Sequence, residues 1–145
     1  MSATVPPDED GADSRFGEPY LRYLLAVAMV SVGVLHFATP AFFVGIMPRM
    51  LPTSTHLPLV LVSGVFEILG GIGLLPARSR RFSAFGLMAL YVCVFPANLR
   101  MAMEPETFHV PAAAAYARLP LQLVLLAWAY RYTRARRPSK QEVTS

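Results

Sequence analysis

The chain has 145 residues and a formal net charge of +4, with 54% hydrophobic and 15% charged residues. Soluble domains average about 25% charged residues; here the charge gathers at the two ends and in one internal loop, and long apolar runs lie between. The basic residues flank those runs without an interleaved aromatic–basic pattern, which argues against nucleic acid as a partner, and one domain suits the length.

Residues 1–17 are polar, acidic and rich in Pro and Gly, and are expected to form a disordered cytoplasmic tail, because they offer too little apolar surface to offset ordering. The acidic start and the repeated hydrophobic segments that follow speak against a cleaved signal peptide. The membrane domain is expected over residues 18–132. Its first span runs from about Tyr20 to Phe37, long enough for a hydrocarbon core of roughly 30 Å, with Arg22 able to reach the headgroups. Residues 41–52 (AFFVGIMPRMLP) are apolar but too short to cross, and Pro48 and Pro52 stop a regular helix. They predict an interfacial turn or short helix.

The second span runs from about Leu57 to Leu75, with Pro58 suited to a first helical turn. Ser63, Gly64, Glu67, Gly70 and Gly71 share one side of it, and small residues on one face let helix backbones approach closely. The loop after it carries Arg78, Arg80 and Arg81. The third span runs from about Phe82 to Met103 and contains Pro96, which removes a helical hydrogen bond and predicts a kink. Cys93, the one cysteine, lies in this span. It can form neither an internal disulfide nor a CxxC motif, and is expected as a small packed side chain. A polar segment, 104–111, contains His109. The fourth span runs from about Ala112 to Tyr132, with Pro120 near one end and Trp128, Tyr130 and Tyr132 at the other, where an aromatic belt belongs. A basic cytoplasmic tail, 133–145, completes the chain. The fold class is therefore all-α: an integral membrane four-helix bundle with a short interfacial segment between helices 1 and 2.

Four spans place both termini on one side of the membrane. That side carries Arg15, Arg22, the three loop arginines and five basic residues at the C-terminal end (Arg131, Arg134, Arg136, Arg137, Lys140); the other has only Arg49, Arg100 and Arg118. Ten against three predicts cytoplasmic termini in a bacterial inner membrane.

Polar side chains inside the spans need a reason, since a charge at the bilayer centre costs about 2.5–3.5 kcal/mol on insertion scales. Glu67 lies near mid-membrane, while His36, Asn98, Arg100, Arg118 and Gln122 all fall in the outer halves of their spans. These six are the candidate binding residues, expected to converge in one polar pocket open toward the periplasmic side. Arg118 is the first expected partner for Glu67, then Arg100 or His36. Plainer roles compete: a structural ion pair for Glu67, headgroup contact for Arg100, an interfacial position for His36, and capping of backbone groups freed by Pro96 for Asn98. No phosphate loop, HExxH zinc motif or GxSxG elbow occurs, and no metal site or catalytic residue is assigned.

The strings GVLHF (33–37), SGVFEILGGIGLL (63–75), FPANLRM (95–101) and RLPLQ (118–122) resemble the DoxX-like membrane proteins, related to the DoxX/MauE group, over about Leu21 to Tyr132. The resemblance implies a four-helix bundle in the bacterial inner membrane and motif residues at His36, Glu67, Asn98, Arg118 and Gln122, with Arg100 at the margin. It also implies an association with quinone-linked oxidation, maturation of periplasmic enzymes or membrane oxidoreductase complexes. Three functions follow as expectations. The first is a small-molecule-binding or accessory protein of a redox or envelope-stress system. The second is a quinone-reactive subunit in which Glu67 takes a proton and His36 relays it. The third is a small transporter or proton pathway. A quinone is the one cofactor candidate, and the expected partners are the lipid bilayer, redox proteins and a second copy of the chain.

Overall fold

Inside hydrocarbon no water pairs with a backbone N–H or C=O, so an apolar run that enters it must satisfy those groups within itself, as a helix does. In the computed structural model, which describes residues 10–108 and 111–133 with side chains at 19–108 and 111–133, the apolar runs are helical. His109 and the C-terminal tail from 134 onward lie outside the described residues, as do residues 1–9. Five helices follow in order: α1 (Asp10–Ala38), α2 (Pro40–Gly45), α3 (Thr53–Gly73), α4 (Arg80–Met103) and α5 (Ala112–Tyr130), with a 3₁₀ turn over Pro105–Phe108. Four of them contain stretches long and apolar enough to cross a membrane: Pro19–Ala38, Thr53–Gly73, Arg80–Met103 and Ala112–Tyr130.

Boundaries differ from expectation at three places. The first helix begins at Asp10, so residues 10–17, expected as disordered tail, are helical. Each residue added to an existing helix gains a backbone bond without a new nucleation cost, and Pro19 inside it removes only one such bond. α3 starts at Thr53, which puts Pro58 inside the helix and not in its first turn. The carbonyl deprived of a partner by Pro58 belongs to Ser54, which is exposed. At the start of α3, Thr55 Oγ1 donates to the Pro52 carbonyl at 2.7 Å. α5 ends at Tyr130, and Tyr132 continues as a buried residue beyond it. Pro96 and Pro120 both sit within continuous helices.

The bundle is a row in which α1 packs on α3, α3 on α4 and α4 on α5, with α2 folded against α1 and α3. Successive long helices are antiparallel, because contacts pair residues in opposite order: Gly33 with Gly64 and Ala26 with Gly71, then Gly70 with Leu87 and Gly73 with Ser83. Two apolar clusters hold the ends. Leu25, Met29, Leu74, Leu87, Tyr91, Ala129 and Tyr132 pack at the end that holds the start of the first span and the end of the last. Ile46, Ala97, Met101 and Ala115 pack at the other, with Phe43 and Phe108 against them.

The outside is as apolar as the inside. Leu24, Val27, Phe66, Leu69, Phe85, Val92 and Leu123 are exposed, and an apolar surface this continuous suits lipid rather than water. Cys93, expected to be packed, lies on this exposed face, because α4 buries the stripe Ala84, Leu87, Tyr91, Ala97 and Met101, which leaves position 93 on its other side.

Candidate functional site

The site is built on the closest helix crossing in the bundle. A Cβ placed on Gly33 would lie 2.7 Å from the Gly64 carbonyl oxygen, and one on Gly64 would lie 2.8 Å from His36 Cβ. Only glycine allows backbones this near. Positions three residues apart share a helix face, so the crossing sets His36, three residues after Gly33, against Glu67, three residues after Gly64. His36 Nδ1 and Glu67 Oε2 are 3.2 Å apart, with both side chains more than nine-tenths buried.

His36 Nδ1 also lies 2.9 Å from the Val32 carbonyl oxygen. Two acceptors face this nitrogen, so Nδ1 carries a proton in either charge state, and the tautomer is set by the fold. The imidazole is stacked on Phe43 of α2, ring centroids 3.7 Å apart and planes 20° from parallel. Its N–H is aligned on the Val32 carbonyl. Glu67 Oε2 is buried and has no aligned hydrogen-bond donor among the described residues, although it sits at ion-pair distance from His36.

A second polar pair comes from α4 and α5. Asn98 Nδ2 donates to Gln122 Oε1 at 2.6 Å, and Gln122 Nε2 donates to the Tyr91 carbonyl. Gln122 is buried, and this chain of bonds satisfies one donor and one acceptor that would otherwise be costly. Asn98 therefore does not cap the carbonyl freed by Pro96, which belongs to Val92; it holds Gln122. Tyr91, one of the residues overlooked in the sequence, donates its hydroxyl to Met29 Sδ at 2.8 Å. Its position seven residues before Asn98, two helical turns on one face, is the signal that would have found it.

These groups surround a cavity of about 460 Å³ between the two apolar clusters, within the size range of small-molecule sites. His36, Glu67, Asn98, Arg118 and Gln122 all line it, together with Phe42 and Phe43 from α2, Tyr91 and Val94 from α4, and Leu35 and Leu121 at its edges. Among the expected six, Arg100 alone stands apart. It turns to the end of α2 and donates from Nη1 to the carbonyls of Gly45, at 3.2 Å, and Met47. A six-residue helix ends there with carbonyls that lack intrahelical partners, and a guanidinium at the end of the neighbouring helix satisfies them. Glu104, 3.8 Å from Arg100 Nε and 2.9 Å from Arg49 Nη2, completes that surface cluster.

The expected Glu67–Arg118 pair is not formed; His36 takes the place of Arg118. Sequence depth put both within reach, but the Gly33–Gly64 crossing brings α1 against α3, whereas α5 is reached only across the cavity. Arg118 instead holds its guanidinium 5.7 Å from the Phe42 ring centroid. No hydrogen-bond acceptor faces it among the described residues.

The fold and site define a class: a multi-pass membrane protein, helical over its described residues, with a ligand-sized, mostly apolar cavity inside the bundle into which a few polar side chains project. The chain belongs to the family described as Domain of unknown function (DUF8561), whose model matches residues 25–133. No curated protein and no solved structure matches it. The family match overturns the resemblance to the DoxX-like proteins. The strings behind that resemblance are dominated by glycines, leucines and prolines, and Gly33, Gly64, Gly70, Gly71 and Gly73 prove to be packing points between helices. Small residues at close crossings arise in unrelated membrane bundles for the same steric reason, so they report helix packing more than kinship.

Proposed function

We propose that this protein binds a small amphipathic molecule in the cavity between α1, α3, α4 and α5. The observation that carries the reading is the cavity itself: about 460 Å³, mostly apolar, with a carboxylate, an imidazole, a guanidinium and a carboxamide pair converging from four different helices. Such polar groups inside a membrane-spanning bundle are expensive to place there. The His36–Glu67 and Asn98–Gln122 pairs satisfy part of that cost internally, and a ligand polar group would satisfy the remainder. The distribution of Lys and Arg favours a periplasmic position for the α2 end, and with it the cavity.

The test is a mass-spectrometric profile of small molecules that copurify in mild detergent, comparing the wild type with Glu67→Gln/Arg118→Gln. A defined molecule retained by the wild type and lost from the double variant supports binding in the cavity. A quinone as that molecule would give the site a redox ligand. If neither protein retains anything above an unrelated four-span control, the ligand-binding reading fails, and the polar residues serve only to hold the bundle together.

A further inference from the structure

The seam between α1 and α5 differs from the other three. α1 packs along α3, α3 along α4 and α4 along α5, but α1 and α5 share no comparable packing. The cavity nevertheless has walls from both: Val32, Leu35 and His36 on one side, Arg118, Leu121 and Gln122 on the other. At this seam Leu35 and Leu121 are both about half exposed, and Phe42, where α2 closes over the cavity, is 39% exposed. A mouth facing water would be rimmed with polar groups. Leu35 and Leu121 lie within the membrane spans, and the one polar side chain among the exposed lining residues, Thr39, donates its hydroxyl to the Leu35 carbonyl, so the mouth suits lipid.

Two polar groups in the cavity have complementary deficits. Glu67 lines the cavity, and among the described residues its carboxylate accepts no aligned hydrogen bond beyond the ion-pair contact of its enclosed Oε2 with His36. Arg118 carries a fixed positive charge and no acceptor among the described residues. A guanidinium presents a planar fork of donors that matches phosphate oxygens, and a carboxylate accepts from an ammonium. We infer that the cavity takes the headgroup of a zwitterionic phospholipid bearing a primary ammonium, entering from the bilayer between α1 and α5. Its phosphate would lie on Arg118, its ammonium on Glu67, and its acyl chains would run out past Leu35 and Leu121 into the membrane. The inference rests on the ligand-binding reading above and names the class of ligand.

The test uses full-length protein purified in detergent and mixed with equal amounts of phosphatidylethanolamine, phosphatidylcholine and phosphatidylglycerol, with retained lipid read by native mass spectrometry. Phosphatidylcholine keeps the phosphate but has no N–H, and phosphatidylglycerol has no cation. Wild type should retain phosphatidylethanolamine about tenfold over either, the scale of one hydrogen bond to a charged group. Glu67→Gln should lose the preference over phosphatidylcholine, and Arg118→Gln should lose retention of all three. Leu121→Trp, which narrows the mouth while keeping every polar side chain of the cavity in the sequence, should lower retention, while Leu123→Trp on the outer face should not. Equal retention of all three lipids by wild type, or a preference unchanged in Glu67→Gln, overturns the inference. If the copurification profile shows another molecule held by Glu67 and Arg118, the headgroup assignment fails and ligand binding stands. If neither experiment finds a ligand, both fail.

Discussion

Glu67 and His36 show how a residue-level expectation can name two groups that meet and still rank another partner first. An isolated carboxylate at mid-membrane depth required a partner, and hydropathy and depth limited the choice to a few residues. The choice among them fell to a distance of a few ångströms that depth does not encode, and His36 is the residue 3.2 Å away. Breaking such a buried pair from one side leaves an uncompensated polar group, whereas removing both partners is far milder. His36→Leu is therefore expected to destabilise the protein by roughly 3 kcal/mol, and His36→Leu/Glu67→Leu to recover most of that loss. Thermal unfolding in detergent followed by circular dichroism measures both. Additive losses from the two single changes would show that the pair does not interact. Arg100 carries a related lesson: its charge and depth resembled those of Arg118, and only the position of the α2 carbonyls drew it out of the cavity.

At the scale of elements, the four spans were legible because a run of apolar residues in hydrocarbon has one structural solution. Their ends were less legible. Thr53 and Asp10 extend helices past the points where hydropathy falls, since helix propagation depends on backbone bonding more than on polarity. The sequence also marked the small residues of α3 as a close face, and the structure shows which neighbour uses each one. Gly64 meets α1, whereas Gly70 meets Leu87 of α4. Gly64→Ala should accordingly cost about 1–3 kcal/mol, the usual range for overpacking, because its new Cβ meets His36 Cβ and the Gly33 carbonyl. Gly86, with nothing within 4 Å of a Cβ, provides the contrast: Gly86→Ala should be neutral or stabilising by up to about 1 kcal/mol. Equal unfolding temperatures for the two variants would show that the α1–α3 crossing accommodates an added methyl group.

For the whole molecule, the testable consequence is orientation. With Cys93 replaced by Ser, single cysteines at Ala77 and at Glu106 report opposite ends of the bundle. In intact bacterial cells a membrane-impermeant maleimide should label Glu106→Cys directly and Ala77→Cys only after permeabilisation. The reverse pattern would invert the proposed topology and move the cavity to the cytoplasmic side. The sequence by itself determined that the chain is helical, that four of its helices are long and apolar enough to cross a membrane, and which side chains pay a desolvation cost there. Those properties follow from local composition and from run length. The tertiary structure alone decided that His36 faces Glu67, that Arg100 leaves the cavity while Arg118 stays, and that α1 and α5 pack less closely than the other neighbouring helices. Each of these depends on how closely two distant segments approach, which is set by the fit of glycines and carbonyls between helices.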